Sequence, residues 1–325
     1  MSLRIITQYK PAGTRSFRLS ATKVFSRYGM NLQNPDKDTM DIACAPPGHV
    51  IIQPDQAGAE AFVVAYLTRP GEYRALFENG VKPHTYLAMR LFPSKFNLTP
   101  QSPFLRERVA SFVHHPDWPA LHKKIKKSGV PYDIGKRTAH GSSYRMGPYT
   151  FRNANLKQSE GTLRLSIKEC REFLEMFRTL FPEVVDWQDE IEMTIRGTRK
   201  LTNLFGFVRM FMRNMTDSYI REGISWIPQS TVGCITHRCI RACRREKLSV
   251  CSNKHDSAAA IVPLDEARQV ARFMTEAMRC TLQGRDKEFT MASEVKIGYN
   301  WRDFDAEDNP RGMQDASTFL EAAGL

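Results

Sequence analysis

Apolar and polar positions alternate with two different periods along the chain, and the changes of period mark its elements. Residues 48–54 (GHVIIQP) form a β-branched apolar run that stops at a proline, which predicts a buried strand. From Glu60 the period changes: AFVVAYL (61–67) predicts a helix that Pro70 and Gly71 terminate. Residues 73–79 predict a further short helix. The Pro-rich, basic segment 92–131 has no sustained period and predicts short helices and loops. In 166–181 apolar residues recur at three and four (Ile167, Cys170, Phe173, Leu174, Phe177, Leu180), an amphipathic helix, and 184–196 repeats the pattern. Residues 201–212 bend at Gly206, and 231–244 predict a helix. Residues 248–263 predict a β-hairpin, and 265–279 a closing helix. Residues 1–47 read as irregular. A strand, many helices, then a hairpin and a helix describe an α+β fold: a small sheet built from both ends of the chain around a helical insertion.

At 42% hydrophobic, a 325-residue chain can bury one or two cores. A formal charge of +12 favours a polyanionic partner, nucleic acid first. The run HKKIKK (122–127) is a solvated helix face or a nucleic-acid contact. No apolar stretch reaches the ~20 residues of a membrane span, and the N-terminus lacks a signal-peptide core. A cytoplasmic protein with reduced thiols is therefore expected. Its seven cysteines include no CxxC pair, so Cys234, Cys239 and Cys243 read as small core residues on a helix rather than as metal ligands with His237.

Candidate chemistry lies in the acids. Asp55 follows the first strand, Glu60 opens the next helix, and Asp256 sits at the hairpin turn after His255. Aspartates at the ends of adjacent strands can hold two divalent metals about 4 Å apart for in-line phosphoryl transfer. Read singly, Asp55 is a helix N-cap and Asp256 a turn former. The adjacent His255-Asp256 is also the dyad of metal-dependent phosphohydrolases, although those carry it on helices.

Taken in order, six stretches resemble the family A DNA polymerases, the bacterial DNA polymerase I group. These are FRLS (17–20) with NLQN (31–34), VIIQPDQAGAE (50–60) as motif A, and PHT (83–85). KRTAHGSSY (136–144) follows as motif B, then Arg221 with PQS (228–230), and KHDS (254–257) as motif C. The resemblance implies a right-hand polymerase unit: palm in 1–62 and 219–325, and mainly helical fingers in 63–218 with the motif B helix near 132–146. It implies DNA-directed DNA synthesis with two Mg²⁺ ions held by Asp55 and Asp256, and primer-template DNA and dNTPs as ligands. Lys136, His140, Tyr144 and Glu60 would contact the nucleotide. Lys136 would meet phosphate, His140 the sugar, Tyr144 the nascent pair, and Glu60 would crowd the 2′ position. Arg18, Arg221, Gln229 and His255 would touch DNA.

Departures from the pattern are specific. Tyr132 stands where the family has a phosphate-binding Arg four residues before the motif B Lys; either a neighbouring base (Lys126, Lys127 or Arg137) substitutes or the affinity for nucleotide is lowered. His140 replaces Phe/Tyr, Arg145 follows Tyr144, and Ser257 replaces Glu, features resembling phage-type members. No thumb or exonuclease segment is recognised, which leads to the expectation of a split enzyme whose thumb and 3′–5′ exonuclease lie on a separate polypeptide. The alternative is a non-catalytic DNA-binding or assembly subunit that keeps the fold.

Overall fold

The computed structural model describes residues 7–10, 13–22, 33, 37–56, 58–254 and 256–325. Its strands are β1 (Gln8–Lys10), β2 (Ser20–Thr22), β3 (His49–Asp55), β4 (Lys200–Thr202), β5 (Val208–Met210), β6 (Ser249–Lys254), β7 (Ser257–Pro263), β8 (Cys280–Gln283), β9 (Glu288–Met291), β10 (Glu294–Gly298) and β11 (Gln314–Asp315). Its helices are α1 (Ala59–Leu67), α2 (Glu72–Glu78), α3 (Pro83–Leu91), α4 (Pro103–Arg106), α5 (Val109–Phe112), α6 (Trp118–Lys126), α7 (Val130–Ser143), α8 (Pro148–Gln158), α9 (Ile167–Leu180), α10 (Pro182–Thr198), α11 (Asp217–Arg245), α12 (Ala267–Met278) and α13 (Ala316–Ala322).

A five-stranded antiparallel sheet in the order β11-β10-β3-β7-β6 organises the molecule. Both faces of its central strand are covered. Val50 and Ile52 enter the main core with Ala258, Ala260 and Val262 of β7, whereas Ile51 and Ala259 join Met40, Trp301 and Met313 on the other face. Two-sided burial explains why this strand reads as a continuous apolar run. Helix α12 covers the main face with Ala267, Val270, Ala271, Met274 and Met278, at steps of three, one, three and four residues along one side of the helix.

The α+β expectation holds, and the strand, the 248–263 hairpin, the Gly206 bend and the short helices of 92–131 form where the pattern places them. Prolines lie at the first or second position of α4, α6 and α7, because the first turn of a helix leaves its N–H groups unbonded anyway. Helix α9 starts at a capping box between Ser166 and Glu169.

Three differences are physical. The 231–244 helix is the second half of the 29-residue α11, which runs through Pro228; the buried Trp226, Ile227 and Pro228 hold the turn that proline weakens. The first 47 residues are not all irregular, since β1 and β2 pair as a hairpin with Tyr9 opposite Ala21. Beyond Arg279, where the periodicity reading stops, the chain adds β8 to β11 and α13. Strand β10 alternates exposed Glu294 and Lys296 with buried Val295 and Ile297 and closes one side of β3.

Candidate active site

Asp55 is the last residue of β3, opposite Ser257 of β7 on one side and Glu294 of β10 on the other. Asp256 immediately precedes Ser257, so antiparallel pairing places the two aspartates at the same end of neighbouring strands. The Gln56 backbone N–H donates to the Asp256 carbonyl at 3.3 Å and ties the two strand ends together. Gly58, at φ 68°, turns the chain from β3 into α1 and so sets Glu60 on the first helical turn beside the acids.

Both carboxyls are costly to ionise. Burial raises Asp55; Glu294 adds to the rise, and Lys296, Lys254 and Lys82 offset it. Asp256 is pushed up to about 7, first by burial and then by the negative charge of Asp55. The charge of Asp55 is thus one cause of the rise at Asp256. Among the described residues neither carboxylate is held in an ion pair, and no group of three His, Cys, Asp or Glu side chains is arranged as a metal cage. Two unpaired, oxygen-only donors suit Mg²⁺, which keeps much of its coordination for water and phosphate.

Glu60 does not join the pair, because its two oxygens are engaged elsewhere: Arg18 Nη2 donates to one and the Tyr144 hydroxyl to the other. Burial, then Glu60, raises the Tyr144 phenol well above its ordinary value. Tyr144 lies one residue past the end of α7 and meets His140 edge-on at 5.4 Å between ring centroids. Lys136 and His140 are exposed on α7 and line a cavity of about 310 Å³ with Met146 and Phe151. Lys136 and His140 thus share an exposed face of α7, whereas Tyr144, past the helix end, turns inward to Glu60.

Arg18 reaches Glu60 from the segment after β1. That segment packs on α11, where the Arg18 side chain passes the open face of Gly233, and Trp226 Nε1 donates to the Arg15 carbonyl at 2.9 Å. Arg221 and Gln229 lie half-buried two turns apart on α11. Of the NLQN stretch only Gln33 is described: its amide bonds Ala21 N at 2.8 Å, Leu19 O at 2.7 Å and Asn253 Oδ1 at 3.5 Å, docking the N-terminal hairpin on β6. His255 lies outside the described residues.

The structure adds charged neighbours that motif reading passes over, namely Lys82, Glu294 and Lys296. Their signal in the sequence is weak because each is an ordinary surface charge until the sheet and α3 set it near Asp55. Cys239 and Cys243 are fully buried, as the core reading expects. No helix among the described residues is long and apolar enough to cross a membrane.

No protein-family profile matches the chain, and no curated protein matches it in sequence. Among solved structures the chain is similar to the POL domain of Pol1 from M. smegmatis, determined in complex with a DNA primer-template and dNTP. The TM-score is 0.67 and the identity 17%, over 92% of this chain and 48% of that one. The chain thus spans about half the length of that protein, and what the two share at this identity is the polymerase-domain fold.

Proposed function

We propose that the chain carries the nucleotidyl-transfer centre of a DNA-directed DNA polymerase. The observation that carries this reading is the placement of Asp55 and Asp256 at one end of two paired strands, unpaired and mutually repelling, within a fold shared with a polymerase domain. A pair of carboxylates is costly for folding and gains its use when cations bind between them.

In this reading the five-stranded sheet with α11 and α12 is the palm, and the helices between 63 and 218 are the fingers. Asp55 and Asp256 would hold two Mg²⁺ ions, whose chemistry when bound is to activate the primer 3′-hydroxyl and neutralise triphosphate charge. Lys136, exposed on α7, meets nucleotide phosphate as a point charge. Glu60, fixed by Arg18 and Tyr144, presents a rigid wall beside the sugar, and Tyr144 and His140 border the nascent pair. Arg221, Gln229, Arg18 and His255 are assigned to the primer and template. Grip on the duplex and any proofreading are assigned to residues outside these 325, on a separate polypeptide or a further part of a longer one. Co-expression and pull-down with such a partner tests that assignment, and processive extension by this chain alone would refute it.

The central test is primer extension with Mg²⁺ by the wild type and by Asp256→Ala. Template-dependent extension that the substitution abolishes supports the reading. DNA binding without extension would show a scaffold instead, and hydrolysis of free nucleotides a phosphohydrolase.

A further inference from the structure

The far end of α11 carries a charge pattern that nucleotidyl transfer leaves unused. Residues 238–247 hold five basic side chains, Arg238, Arg241, Arg244, Arg245 and Lys247, against one acid, Glu246. Cys239 and Cys243, one turn apart, are fully buried, and Cys239 Sγ reaches the Met274 carbonyl of α12 at 4.0 Å. With that face of α11 fixed in the core, Arg238, Arg241 and Arg245, at i, i+3 and i+7, share one exposed stripe.

The stripe borders a trough. Its three arginines line a cavity of about 300 Å³ together with Ala242 of α11 and Glu276 and Ala277 of α12. The short alanine side chains on both helices leave that space open. Arg238 is held there because its Nη1 donates to Cys280 Sγ at 2.7 Å. Among the described residues Arg238, Arg241 and Arg245 form no ion pair, and the opposing Glu276 is met by Arg279 at 3.8 Å.

The trough lies well away from the acid pair. At about 1.5 Å per residue, Arg241 is about 30 Å along α11 from Arg221. The Leu248 N–H donates to the Cys243 carbonyl at 2.9 Å, so β6 starts beside the stripe. From there the strand runs about 20 Å back to Asp256. The arginines therefore stand at the opposite end of the sheet from Asp55 and Asp256.

Charge and shape select the ligand. Neither α11 nor α12 exposes a large apolar side chain, the anchor around which a protein interface is built. Guanidinium forks bind phosphate through paired hydrogen bonds. The stripe rises about 10 Å along the helix, which covers about three charges of one DNA strand. We propose that this trough is a second nucleic-acid contact, which receives the phosphodiester backbone of one strand far from the acid pair. The contact recognises repeated charge and does not rest on the polymerase reading.

The test is fluorescence anisotropy on the full chain in chelator, with labelled DNA of about 30 nucleotides, single-stranded and duplex, from about 50 to 300 mM salt. The variant Arg241→Ala/Arg245→Ala is compared with Lys168→Ala/Arg171→Ala, which removes the same charge from an exposed face of α9. The arginine variant is expected to bind at least about tenfold more weakly at about 100 mM salt. Its log–log salt slope should flatten by about two, one for each lost phosphate contact. Arg241→Lys/Arg245→Lys should keep the slope, and circular dichroism melts check that all variants fold. The probe that loses more affinity identifies the strand form the trough takes. An unchanged slope, or an equal loss in the α9 control, overturns the contact. Polyglutamate binding that depends on Arg241 and Arg245, with DNA binding that does not, overturns it in favour of an acidic protein. Arginine-dependent DNA binding by a chain that extends no primer overturns the polymerase reading and leaves this contact standing.

Discussion

Asp256→Asn should make the metal-free protein more stable while abolishing metal-dependent activity. The perturbation removes one charge from a buried pair and keeps the shape of the side chain. Asp256 is raised from an ordinary value of 3.8 to about 7. At about 1.36 kcal/mol per pKa unit, a rise of this size costs the folded state about 4 kcal/mol once both acids are ionised, an upper figure because water and backbone relax around the charge. The direction follows from linkage. Below pH 4 the group is protonated in both folded and unfolded chains, so Asp and Asn differ little. Between about 4 and 7 the unfolded chain has released the proton that the folded chain keeps, and wild-type stability falls relative to the variant as pH rises. Above about 7 the full gap is present. Urea unfolding of both proteins at pH 4.5, 6, 7 and 8.5, in chelator, measures the gap directly. It should open with pH and level off past neutrality, and Mg²⁺ should narrow it by stabilising the wild type alone. A gap that is flat with pH, or a variant less stable than wild type at pH 8.5, would refute the claim that Asp256 is buried beside a like charge.

Three further outcomes follow from contacts at the same site. Asp55→Asn should lower the Asp256 midpoint, since the Asp55 charge is a cause of its rise; carboxyl carbon NMR titration reads the shift, and an unmoved midpoint would show that the acids do not sense each other. Glu60→Ala leaves Arg18 and the Tyr144 hydroxyl without their shared acceptor and should cost about 2–4 kcal/mol, against about 1 kcal/mol for Tyr144→Phe, measured by denaturant melts. Gly135→Ala drives a methyl into the backbone at His84 and Ala88, and a loss of about 3 kcal/mol in a thermal or urea melt is expected, with none for Gly147→Ala, where a Cβ meets open space.

Much of the scaffold was legible because burial is local. The β3 run and strand β7 of the 248–263 hairpin are buried on both faces, and α9 shows its period plainly. What was not legible depends on pairing across the chain. Nothing in the sequence places Asp55 beside Asp256; the adjacency of β3 and β7 does that, and the motif order only suggested it. Pro228 hid the first half of α11, since a proline reads as a boundary unless buried packing overrides it. Strand β10 carries the right alternation but only over five residues, too few to stand out.

The motif departure at Ser257 has a physical counterpart at the same site. Ser257 is fully buried and directly opposite Asp55, one residue from Asp256. Its hydroxyl accepts from the Gln53 amide at 3.2 Å and donates to the Lys254 carbonyl at 3.3 Å. The Gln53 side chain in turn accepts from Trp301 Nε1, and the Lys254 ammonium lies 4.4 Å from the centre of the Trp301 ring. A carboxylate at 257 would add a third buried negative charge to a pair in which Asp55 already raises the proton affinity of Asp256, and would break this chain of neutral hydrogen bonds. Serine closes the hairpin without adding charge. The acid pair therefore keeps only the repulsion that bound cations can relieve.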